Sequence, residues 1–93
     1  MTVGLCLIEL HIPAARSLKD KRQVLRGLMD RLRHRHNVSV SEVEHQDLWQ
    51  RAEIAIAAVA ASRKPLDAMF QGILREVESE VPGNVVRHDV DFI

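Results

Sequence analysis

Ala52-Glu-Ile-Ala-Ile-Ala-Ala-Val-Ala-Ala61 is the stretch on which the fold turns. Its alanines suit a helix, but its short length, its neighbours and its alternation favour a strand. Ile54 and Ile56 face one way, and Ala55, Ala57 and Val59 face the other. Apolar residues on both sides mark a strand in the interior of a sheet.

Working outward, His45-Gln-Asp-Leu-Trp-Gln-Arg51 has no periodicity and reads as a hairpin loop. Before it, residues 38–44 form a strand. The apolar phase of that strand slips from Val38 and Val40 to Val43, which places a bulge around Ser41-Glu42. After the central stretch, Ser62 or Lys64 caps a helix with Pro65 in its first turn, where a missing N–H costs little. Leu66, Met69, Phe70, Ile73, Leu74, Val77 and Val81 supply the buried face of this helix, and Pro82-Gly83 stops it. Residues 84–93 alternate Val86, His88, Val90 and Phe92 against Arg87, Asp89 and Asp91, the pattern of an edge strand with one wet face.

The first half follows the same logic. Residues 2–12 are apolar on both sides and predict a second interior strand. Ser17 looks like a helix N-cap with Asp20 three residues on. Leu18, Val24, Leu25, Leu28, Met29 and Leu32 form an apolar stripe that ends at Asn37. The order β-α-β-β-α-β is the split βαβ of a ferredoxin-like α+β sandwich, with a four-stranded antiparallel sheet and two helices on one face. Ninety-three residues make this a single domain, 1–93. Its open sheet face carries small apolar residues. Burying about 300 Å² per chain there would contribute several kcal/mol, less the costs of association. A homodimer through this face is expected.

Charge is unevenly placed. The formal total is zero, yet residues 16–36 hold eight of the thirteen basic residues against Asp20 and Asp30. A positive face on a neutral chain points to an anionic partner. Lys19, Lys21, Arg22, Arg26 and Arg33 are the candidate anion- or RNA-binding residues. Lys19, Lys21 and Arg22 oppose the helix dipole, as functional sites tend to. The bland alternative is a solvated face whose side chains pair with Asp20 or with acids elsewhere. Residues 65–93 are acidic enough to offset it, or to steer self-association or a protein partner. Arg22, Arg26 and Arg33 lie near one flank of the helix, with Lys21, Arg31 and Arg35 near others. Neutralising about four phosphates of single-stranded RNA would give a log–log salt slope near −3.

A second candidate is the loop, where His45, Asp47 and Arg51 surround Trp49. Trp49 is either a binding anchor or, with Leu48, packing folded over the sheet end. Base stacking on the sheet is excluded, because the chain has two phenylalanines, no tyrosine, and its one tryptophan in a loop. No nucleophile elbow, paired carboxylates or Gly-rich phosphate loop marks an enzyme, and no cofactor is implied. His34 and His36 diverge on the helix, and His11, His45 and His88 lie apart, so no metal site is expected. Cys6 sits in an apolar run and reads as a buried, inert thiol. The first twelve residues lack a basic start and a cleavage site, and no stretch reaches membrane-spanning length. The expected location is cytoplasmic, with no membrane partner.

Ser17-Leu-Lys-Asp-Lys-Arg22 after an Ile-Pro turn, Asn37-Val-Ser-Val and His45-Gln-Asp-Leu-Trp-Gln-Arg-Ala52 together resemble the YlxP-like family of small bacterial proteins, a domain of unknown function. The similarity runs nearly end to end. It implies a ferredoxin-like fold. Through the family's frequent gene neighbourhood beside ribosome-binding factor A and translation genes, it also implies a link to ribosome maturation. The expected function is therefore a non-enzymatic RNA- or ribosome-associated module working through the basic helix, with ribosomal RNA or a ribosomal subunit as partner. The alternatives are a protein-interaction domain whose basic helix docks an acidic partner and a binder of a small anion or metabolite.

Overall fold

The computed structural model describes residues 1–81 and 84–93. The chain runs β1 (Thr2–His11), α1 (Leu18–Arg35), β2 (Ser39–Glu44), β3 (Arg51–Ala60), α2 (Arg63–Glu80) and β4 (Val85–Phe92). Its sheet is antiparallel with strand order β2-β3-β1-β4. The ferredoxin-like order is thus present, with the two interior strands where two-sided apolarity placed them. The alanine-rich stretch is a strand because β1 pairs with it over its full length, from Thr2↔Ala60 to His11↔Arg51. Partners on both sides outweigh alanine's helical preference.

Alternate residues of the interior strands meet the helices. Cys6, Ile8 and Leu10 of β1 and Ala52, Ile54 and Ile56 of β3 are fully buried. They pack against Leu25, Leu28 and Leu32 of α1 and Leu66, Phe70, Ile73 and Val77 of α2. Burial pushes the Cys6 thiol up to about 11, with Asp89 adding to it, so it stays protonated and unreactive at neutral pH.

Local signals set the helix ends. The Ser17 hydroxyl accepts from the Asp20 N–H at 3.0 Å, and the Asp20 carboxylate accepts from the Arg16 N–H at 3.0 Å. The cap at the far end is His36, one residue before Asn37. Ser62 caps α2 by position, without a side-chain hydrogen bond. The stop expected at Pro82-Gly83 lies outside the described residues.

Three apolar assignments are corrected. The β2 bulge falls between Glu42 and Glu44, at Val43, one residue later than the phase slip indicated. A register shift at Glu9/Leu10 makes Val86 the extra residue of β4 and turns it outward, 55% exposed. On α1, Val24 is exposed, and its place in the buried stripe belongs to Lys21.

Candidate nucleic-acid interface

Lys21 stands one turn before Leu25 on the buried face of α1, in phase with Leu28 and Leu32. It is fully buried. Its ammonium donates to Glu42 Oε2 at 2.9 Å and to the carbonyl oxygens of His45 at 2.7 Å, Arg51 at 3.2 Å and Gln46 at 3.3 Å. Three N–H groups serve four acceptors, so no donor is left for a phosphate. Lys21 is therefore withdrawn from the anion-binding residues. It is a positioning residue that ties the β2–β3 loop to the first helix. The Ser17–Arg22 and His45–Ala52 motifs meet at this ammonium, and the in-phase lysine at i−4 from Leu25 was the sequence signal for it.

The loop is anchored a second time. The Gln50 amide donates to the Pro13 and Ala15 carbonyls, and the Ile12 N–H donates to the Gln50 carbonyl. His45 holds a left-handed φ of 62° at the start of the turn, whose carbonyl also accepts from the Leu48 N–H. Between these anchors Trp49 is 54% exposed and Leu48 is 43% exposed. Packing over the sheet end is overturned for both: the backbone is pinned by Lys21 and Gln50, and the indole is left outside. Trp49 lines one shallow cleft with Asp47, Leu48 and Arg51, and a second with Pro13, Ala15 and Arg16. The indole thus borders the start of the basic helix.

The remaining loop residues serve another cluster. Glu9 receives Arg51, His45 at 3.4 Å and Arg87 at 4.0 Å. Burial pushes the Glu9 carboxyl up, but the Arg51 hydrogen bond and the charges of Arg51, Arg87 and His45 outweigh it and hold the group below its ordinary 4.5. A carboxylate with a lowered pKa stabilises the fold above the ordinary glutamate range, and that contribution is lost as pH falls through the lowered value. The expected result of a carboxyl-resolved NMR titration is a Glu9 midpoint below 4.5 that rises in Arg51→Gln. An unchanged midpoint in that variant would contradict this origin.

Along α1 the cations divide by flank. Arg31 makes a bidentate pair with Glu80 at 2.8 Å, while Arg35 lies 3.4 Å and His36 2.8 Å from Glu76. Much of the acidic surface of α2 is therefore met within the chain. On the other flank, at 100° per residue, Lys19, Arg22, Arg26 and Arg33 fall within about 60° and span about 21 Å. Arg33 is engaged with Asp30 at 3.0 Å and the Val40 carbonyl at 2.7 Å. Lys19, Arg22 and Arg26 are exposed and have no acidic partner among the described residues. At the helix N-terminus the Ser17 hydroxyl takes the Asp20 N–H, and the Asp20 carboxylate takes the Arg16 N–H just ahead of the helix.

Among the described residues no three His, Cys, Asp or Glu side chains are placed to hold a metal ion, and no helix is long and apolar enough to cross a membrane. The solved structures similar to this chain include two designed proteins. The de novo designed protein Foldit4 matches at TM-score 0.56 and 13% identity, covering 99% of this chain and 94% of its own. The de novo designed protein LFR1 1 with ferredoxin fold matches at TM-score 0.55 and 12% identity, covering 100% and 83%. These show the fold alone. Among natural proteins, the uncharacterized protein YlxP of Bacillus subtilis (strain 168) is 40% identical over 77 residues, 83% of this chain and 84% of that protein. The family model of proteins of unknown function, DUF503, matches residues 3–90, and the chain belongs to that YlxP-like family.

Proposed function

We propose that this protein is a non-enzymatic RNA-binding module that associates with ribosomal RNA or a ribosomal subunit. Lys19, Arg22 and Arg26 take the phosphates, Arg33 extends the strip, and Trp49 offers a ring for an unpaired base. The observation that carries the reading is the row of three exposed cations without acidic partners among the described residues, beside a helix flank whose cations are paired. Cations along a backbone track with an aromatic platform beside it are the usual parts of a single-strand binder. The choice of ribosomal RNA rests on the gene neighbourhood that the family resemblance implies.

Co-sedimentation with ribosomal subunits, beside anisotropy with a single-stranded RNA, tests this. Parent protein is expected to bind with a log–log salt slope near −2, from about three phosphates. Lys19→Glu/Arg22→Glu/Arg26→Glu is expected to weaken binding more than tenfold with an unchanged melting temperature. Equal binding by parent and variant would remove the proposal's basis. Trp49 and Leu48, exposed side by side, also favour a protein-interaction reading. A partner that survives nuclease treatment and is lost in Trp49→Ala would select that reading instead.

A further inference from the structure

Apart from this strip, the sheet has a face that no helix covers. The strand registers arrange its side chains in rows across the sheet. One row runs Ser39, Ala57, Leu5, Asp91, and the next runs Ser41, Ala55, Leu7, Asp89. A third runs Glu44, Glu53, Glu9, Arg87. Beyond the first row, Val59 pairs with Val3, which pairs with Ile93. In the first two rows the middle of this face is small and apolar, one outer strand offers hydroxyls and the opposite outer strand offers carboxylates, while the middle of the third row carries Glu53 and Glu9. Arg87 and Glu44 stand at opposite ends of the same row.

We propose that this face is the interface of a homodimer whose two-fold axis runs along the strands, between β1 and β3. Such an axis lays each row on the same row of the second copy in reverse order. Asp91 then meets the partner's Ser39, Asp89 meets the partner's Ser41, Arg87 meets the partner's Glu44, and Glu9, whose charge Arg51 and Arg87 of its own chain already balance, meets the partner's Glu53. Leu5 and Leu7 pack on the partner's Ala57 and Ala55, large against small. An axis across the strands is the poorer arrangement, because it sets the charged third row on Val3 and Val59 and gives neither Arg87 nor Glu44 an opposite charge from the partner. The sheets then pack aligned, as twisted sheets do.

Size agrees with this occupant. Strands of six, ten, ten and eight residues, about 4.8 Å apart and rising about 3.3 Å per residue, give about 540 Å² per copy. The pair buries about 1,100 Å², within the class of weak, transient interfaces and just above the roughly 1,000 Å² that a biological interface should clear, which corresponds to a reversible dimer of modest affinity. The helices lie on the outer surfaces, so both basic strips remain accessible.

Sedimentation equilibrium of the full chain from low micromolar to submillimolar concentration tests the proposal. The parent is expected to dimerise reversibly, and Leu7→Asp to be monomeric with unchanged circular dichroism. Arg87→Glu and Glu44→Arg should each weaken the dimer about tenfold, and the double variant should restore it to within about threefold. Restoration cannot arise within one chain, since residues 44 and 87 lie on the two outer strands, about 14 Å apart. A monomer throughout the range would overturn the proposal. So would a double variant as weak as the singles, or a dimer indifferent to Leu7→Asp.

Discussion

Lys21→Met is expected to lower the unfolding free energy by about 3–5 kcal/mol, the typical effect of removing one member of a buried ion pair. Methionine nearly matches the length of lysine, so packing is largely preserved and the loss isolates the ammonium. Without it, the Glu42 carboxyl, only 17% exposed, is left with no cation beside it. The carbonyls of His45, Gln46 and Arg51 lose their shared donor as well. A small domain has about 5–15 kcal/mol in all, so the variant should be marginal at 37 °C. Urea titration followed by circular dichroism measures this. A change under about 1 kcal/mol would show that water replaces the ammonium and that the site is not closed. Adding Glu42→Leu should recover part of the loss, since an apolar pair leaves no unpaired charge. The result also bears on the RNA test. Lys21→Glu with Arg22→Glu, the variant that helix charge alone would recommend, should lose binding by unfolding. Lys19, Arg22 and Arg26 are the informative positions.

Gly4→Ala is expected to destabilise by about 1–3 kcal/mol, although alanine is ordinarily a small change. Gly4 lies on β1, paired with Ala58 and Phe92, on the side that meets α2. A Cβ there would stand 2.5 Å from Cε2 and 2.9 Å from Cζ of Phe70, and 3.3 Å from Leu66 Cδ1. Phe70 is fully buried and its ring stacks obliquely on Phe92 at 6.2 Å, so it has little space into which to move. The glycine is required by this close approach, not by an unusual backbone. Phe70→Leu removes the colliding ring atoms at a cost of its own, from lost packing. Combined with Gly4→Ala, its loss should be smaller than the sum of the two by about 0.5–3 kcal/mol. Simple additivity would refute the steric origin.

Both predictions rest on contacts that no local pattern contains. The architecture was legible because its signals are local. Two-sided apolarity in residues 2–12 and 52–61 marked the interior strands, and Ser17 with Asp20 marked the start of α1. The flank shared by Arg22, Arg26 and Arg33 followed from helical geometry alone. At the candidate site the reading was partial. Trp49 was singled out, but its exposure depends on how Gln50 and Lys21 tie down the loop. Val43 and Val86 were misplaced by a residue or a face because a bulge is a property of two strands.

The sequence by itself determined the order of elements, the sheet topology and the clustering of positive charge on α1. Those follow from hydrophobic period, capping and turn chemistry, each acting over a few residues. The tertiary structure alone decided which cations are free. Lys21 finds its acceptors 21 to 30 residues away, and Arg31 finds Glu80 49 residues away, whereas Lys19, Arg22 and Arg26 find no acid among the described residues. Net charge is additive along a chain, but pairing and desolvation depend on what folding brings within about 4 Å, and that distance separates a buried strut from an exposed, unpaired cation.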